Sequence, residues 1–208
     1  MRPGSLPLRF AATIAALSLS ANTALAHHPM GNQLPSTLLE GLLSGFGHPV
    51  IGVDHLAAVV AVGALARFIP RGGVPLAFYV LAMIAGATLQ INKTEIPGAE
   101  ILVGASVFFL GILLIARKPL SAIPAGLLFG IVGSLHGYVL GESIVGAEQT
   151  PLFAYFAGFT IIQLTIGLAA MAAARWIANR KLAFDAFRLT GTGIAGLGLV
   201  LFIQSLPS

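Results

Sequence analysis

Six apolar stretches follow one another with only short breaks over residues 49–68, 74–91, 98–116, 120–141, 151–177 and 187–206. Stretches of roughly 17–25 apolar residues are long enough for a helix to cross a bilayer. Of the 208 residues, 57% are hydrophobic and 9% are charged. A soluble domain carries roughly a quarter charged residues to cover its surface. This chain cannot supply them, so lipid must form part of its solvent. The expected fold is all-α: a polytopic transmembrane helix bundle of about six spans, with residues 27–208 as one domain.

Two segments precede the first span. Residues 36–46 are apolar but too short to cross, and Gly47-His48-Pro49 is expected to break them off as a half-helix on the outer side. Pro49 then suits the first turn of span one, where a missing N–H costs nothing. Residues 1–26 read as a cleavable signal peptide, with Arg2 and Arg9, an apolar run over 10–19, and Ala24-Leu25-Ala26 as the small-x-small site. An uncleaved anchor helix is the other reading. Cleavage after Ala26 would expose His27 and His28, either as a metal-capture tail or as a plain polar terminus.

Basic residues set the orientation. Arg67, Arg71, Arg117, Lys118, Arg175, Arg180, Lys181 and Arg188 all fall on one side, assigned to the cytoplasm; Lys93 alone falls opposite. Glu40, Glu95, Glu100, Glu142 and Glu148 lie on the outer side with it, while Asp185 is cytoplasmic. The net charge of +4 therefore reflects topology, and no nucleic-acid partner is implied. The mature N-terminus and the C-terminus are both expected on the outer side, which in a bacterial inner membrane is the periplasm. Gly126 and Gly130, then Gly133, Gly137 and Gly141, recur at four-residue spacing on span four. Span six carries Gly191, Gly193, Gly196 and Gly198. Small residues at such spacings let helices approach closely in lipid.

All five histidines lie on the outer half of this topology or beyond it. His48-Pro-Val-Ile-Gly-Val-Asp54-His55 falls where the half-helix meets span one. Irregular backbone at membrane depth must be buried in protein or line a cavity, and transporters place ion sites there. An acid inside an apolar run is costly and marks function by default. With no cysteine in the chain, the available donors are imidazole and carboxylate, which suit nickel, cobalt, zinc or ferrous iron. In an unbroken helix His48 and His55 would stand about 10 Å apart. Either the segment around Pro49 and Gly52 bends, or the two serve successive steps. Alternatively, Asp54 only fastens the bundle. A second cluster, His136-Gly137-Tyr138-Val139-Leu140-Gly141-Glu142, lies at the outer end of span four, where His136 could face Asp54 and His55 across a cavity. Gln90, Asn92, Gln163, Thr160 and Thr165 read mainly as interhelical hydrogen-bonding residues.

The stretch GFGHPVIGVDHLAAVVAVG, residues 45–63, closely resembles the signature of the HupE/UreJ family. These are small bacterial membrane proteins encoded with hydrogenase or urease genes and regarded as nickel permeases. The family's histidine, five residues, then Asp-His matches His48, Asp54 and His55. Its downstream His-Gly motif ending in Gly-Glu matches His136, Gly137, Gly141 and Glu142. Many members carry a second histidine in that motif, where this chain has Leu140, and Val59 stands where Met is common. The resemblance implies metal ligation by His48, Asp54, His55, His136 and Glu142, beside which the His27–His28 tail is a weaker candidate. It implies a transported divalent ion (nickel, or else cobalt, zinc or ferrous iron), no prosthetic group, and a functional link to a metalloenzyme such as hydrogenase or urease. A homo-oligomer is compatible with it.

Three rivals come from other classes. Gly104-Ala105-Ser106 with His136 would suit a serine-type intramembrane protease, although the glycine expected after the serine is absent. Facing histidines could carry haem, which an absorption spectrum would reveal. A membrane metal sensor or chaperone would use the same ligands as a permease.

Overall fold

The computed structural model describes residues 34–181 and 183–207. Seven α-helices run in order: α1 Leu38–Ile51, α2 Val53–Ala66, α3 Gly73–Ile91, α4 Ala99–Ala116, α5 Ala122–Gly141, α6 Gln149–Ala178 and α7 Ala183–Gln204. A 3-10 turn, Glu142–Ile144, follows α5. Helices α3 to α7 are each long and apolar enough to cross a membrane. Large apolar side chains such as Ile123, Phe153 and Leu81 are turned outward, as lipid-facing residues must be. The chain is thus a polytopic helical membrane protein.

Helices α1 and α2 behave differently from the expected half-helix and full span. Helix α1 starts at a reciprocal cap: the Glu40 amide donates to Thr37 Oγ1 at 3.2 Å, and the Thr37 amide donates to Glu40 Oε2 at 3.2 Å. It then continues straight through Gly47-His48-Pro49 and ends only at Gly52. Pro49 lies so near the C-terminal end that the bond it removes is one of the last in the helix. The break therefore falls three residues beyond the expected place. Helix α2 leaves Gly52 at 79° to α1. With 14 residues it is about 21 Å long, too short to cross alone. The expected half-helix and first span are together one bent pair, which counted as a single span would be the sixth.

Three helix pairs surround α2, and glycines mesh each of them. In α3–α5, Gly133 abuts the Tyr79 carbonyl, Gly137 the Met83 carbonyl, and Gly86 the Ser134 carbonyl. In α4–α7, Gly104 meets Phe202, Gly111 meets Gly191 and Ala195, and Gly198 meets Phe108. In α1–α6, Gly41 meets Pro151, Gly45 meets Tyr155, and Gly158 meets Leu42. A methyl group at any of these positions would run into backbone, the close approach that small residues permit in lipid. Gly126 and Gly196, of the same sequence pattern, have nothing within 4 Å of where a Cβ would stand. Helix α2 fills the middle, with Ala58, Val59, Ala61, Val62 and Ala66 fully buried.

The basic connections gather at one end. Arg117 and Arg188 both lie over the Phe184 ring, at 4.6 and 5.1 Å, and Phe68 packs edge-on against Phe187. At the other end Tyr138 ties down the α3–α4 connection. Its hydroxyl donates to the Thr94 carbonyl at 2.8 Å and accepts from the Ile96 amide at 3.1 Å.

Candidate metal centre

The elbow at Gly52 positions the site. Asp54 and His55 occupy the first turn of α2, directly after the bend. Gly52 has no side chain because there is no room for one: a Cβ there would stand 2.7 Å from His55 Cδ2 and 3.2 Å from Asp54 Oδ1. His136 comes from α5, held between the contacts of Gly133 and Gly137 with α3. Ser106 comes from α4. Four residues from three helices thereby meet beside the buried start of α2.

Their contacts form a line. His55 Nε2 lies 3.5 Å from Asp54 Oδ2. His55 Nδ1 lies 2.9 Å from His136 Nδ1, with the two rings edge to face at 75°. His136 Nε2 lies 2.9 Å from Ser106 Oγ, which donates to the Val103 carbonyl at 2.8 Å. Both histidines are 0% exposed, and the Asp54 side chain is 13% exposed. Asp54, His55 and His136 each offer a ligand atom within 4.8 Å of the others. Two imidazole nitrogens at hydrogen-bonding distance need something electropositive between them, either a hydrogen on one or a shared cation. Imidazole and carboxylate at this spacing can bind a borderline divalent ion.

The other expected ligands lie elsewhere. His48 is 2% exposed and sets its ring edge-on to Tyr155 at 6.5 Å, in the α1–α6 interface. It is not among the three side chains whose ligand atoms lie within 4.8 Å of one another. Glu142 is exposed on the 3-10 turn. It lines a cavity of about 290 Å³ with Gln90, Glu100, Tyr138 and Ser205 rather than joining His136. Six residues along a straight helix end do not return to the same depth. His27 and His28, and residues 1–26, lie outside the described residues.

Several polar residues also differ from expectation. Thr160 and Thr165 donate to Phe156 and Ile161 of their own helix, and Asn92 donates to Thr88, so none of the three bonds ties helices together. Gln163 is 0% exposed, and among the described residues neither end of its amide has a hydrogen-bond partner. The buried Tyr79 hydroxyl likewise has none there. Ser106 does stand beside His136, the pairing that the protease rival requires, but its hydroxyl hydrogen goes to the Val103 carbonyl.

Comparisons with known proteins agree with the sequence signature. The family model described as HupE / UreJ protein matches residues 15–201. The chain is similar to Protein HupE of Rhizobium leguminosarum bv. viciae, with 34% identity over 167 residues, covering 76% of this chain and 82% of that protein. No solved structure matches.

Proposed function

The chain belongs to the HupE / UreJ family, and from that premise we propose that it is a permease for a divalent transition-metal ion, nickel first and cobalt second. The ion enters from the periplasm and passes Asp54, His55 and His136 on its way to the cytoplasm. Glu142 collects it at the outer cavity, with His27 and His28 as an auxiliary tail, and His48 serves a step before the elbow. The protein is made with a signal peptide of residues 1–26 and sits in the inner membrane with both mature termini periplasmic. The metal supplies an enzyme such as a hydrogenase or urease.

The observation that carries this reading is the Asp54–His55–His136 group, three ligand-type side chains drawn from two distant segments and enclosed in an apolar bundle. Burying such residues in a membrane protein is expensive unless they act. Imidazole and carboxylate donors gathered in this way suit nickel and cobalt, and zinc or ferrous iron after them.

The Ser106–His136 contact also bears on the protease reading, and argues against it. Ser106 donates its hydroxyl hydrogen to Val103, so His136 does not stand as the base that would remove it.

Uptake of radioactive nickel into nickel-starved cells tests the proposal, with wild type and Asp54→Asn at equal membrane levels and cobalt and zinc as competitors. Uptake lost only in the variant supports a conduit through this group. Metal binding without uptake in the wild type would replace it with a sensor or chaperone.

A further inference from the structure

Ser106 has one hydroxyl hydrogen, and it is committed. The Val103 carbonyl can only accept, so the 2.8 Å contact requires Ser106 to donate there. At 2.9 Å the other polar neighbour of Oγ is His136 Nε2. With the hydroxyl hydrogen already used, this second contact requires His136 to donate, which places its N–H on Nε2. The neutral ring then carries its lone pair on Nδ1, the atom that faces His55 Nδ1 at 2.9 Å. The hydrogen bonds run in one direction, from His55 through His136 and Ser106 to the backbone of α4.

From this geometry we infer that Ser106 is a positioning residue for the transported metal: it holds His136 in the Nε2–H tautomer and so makes Nδ1 the nitrogen that binds the ion. The inference rests on the permease reading for the metal and on hydrogen-bond chemistry for the tautomer. A ligating histidine is commonly held this way, by a partner on its other ring nitrogen that fixes tautomer and ring orientation. Here the partner is a hydroxyl whose own direction is set by the helix that bears it. The residue must keep an acceptor at Oγ and be small enough for a 9% exposed position. Alanine would leave the Nε2–H buried without an acceptor, and the ring would be free to flip or to move its hydrogen to Nδ1, removing the ligand.

The test uses the full-length protein labelled with nitrogen-15 in histidine, metal-free in lipid bilayers at about pH 8, above the ordinary histidine range. Nitrogen shifts distinguish protonated from bare ring nitrogens, and a His136→Gln sample assigns the signals. The expected wild-type spectrum has His136 protonated at Nε2 and bare at Nδ1, and Ser106→Ala disperses that pattern. Nickel affinity of the purified protein is expected to fall about 10- to 100-fold in Ser106→Ala, the range for losing the partner of a ligating histidine. Ser106→Thr, which keeps the acceptor, restores both readouts. Ser106→Cys, which keeps the shape with a poorer acceptor, lies between and serves if alanine does not fold. A wild-type His136 protonated at Nδ1 overturns the inference, as do an unchanged spectrum and affinity in Ser106→Ala. If the wild type binds neither nickel nor cobalt, the permease reading and the ligand role of Nδ1 fall together, while the spectrum still decides the tautomer by itself.

Discussion

Gly52→Ala is the substitution whose effect the structure defines most closely. Gly52 has φ −71° and ψ 102°, an extended conformation open to any residue. Backbone strain therefore plays no part, and the whole effect must come from the added methyl group. That carbon would lie 2.7 Å from His55 Cδ2, where carbon atoms ordinarily stand about 3.5–4.0 Å apart. The ring must retreat by about 1 Å. His55 is 0% exposed, so it has no open space to retreat into, whereas metal ligands tolerate errors of about 0.2 Å. Nickel affinity should fall by at least about 100-fold, equivalent to about 2.7 kcal/mol. Titration calorimetry on purified protein measures it, with thermal unfolding in detergent confirming that the variant is folded. Gly126→Ala and Gly196→Ala are the controls, because nothing lies within 4 Å of the new methyl in either. Both should bind nickel like the wild type and gain up to about 1 kcal/mol of helix stability. A folded Gly52→Ala protein with wild-type affinity would refute the claim that the elbow places His55.

Three other outcomes are expected. Asp54→Asn and His136→Gln should each lower nickel affinity in the purified protein by tenfold or more while the bundle stays folded, because each removes one of three ligand-type groups. Glu142→Gln should leave that affinity unchanged, since Glu142 lies in a separate outer cavity, but raise the external nickel concentration needed for half-maximal uptake; equal losses in both assays would place it in the centre after all. Nickel affinity should decline as pH falls, by about tenfold per unit for each proton displaced. The sign follows because neutral imidazole is the binding form: acid protonates the free protein and leaves less of it competent to bind.

Much of this was legible before any coordinates. Apolar length alone places α3 to α7 within a few residues, because crossing a bilayer demands it. The glycines at 133, 137 and 141 announce a close helix approach, which the structure places against α3, while Gly126 of the same pattern meets nothing. The elbow was foreseen but misplaced: proline is a strong breaker in a helix interior and a weak one near a C-terminus, and only the true helix end shows which case applies. Glu142 stands apart from His136, on the turn after α5 and lining a cavity, in keeping with the outer position its place beyond His136 suggests. His136 beside His55 depends on which helices are neighbours. Neither hydropathy nor spacing carries that information, and it is the same information that puts Ser106 behind His136.

The 79° bend has an electrical consequence. A helix carries about half a positive charge at its N-terminal end and half a negative charge at its C-terminal end. At Gly52 the negative end of α1 and the positive end of α2 are brought together. His48 sits in the last turn of α1, the pole that favours a cation, and Asp54 in the first turn of α2, the pole that favours an anion. On the permease proposal, an arriving ion would be attracted on one side of the elbow and loosened on the other, the balance that conduction requires, since a site that bound without the opposing pole would keep its ion.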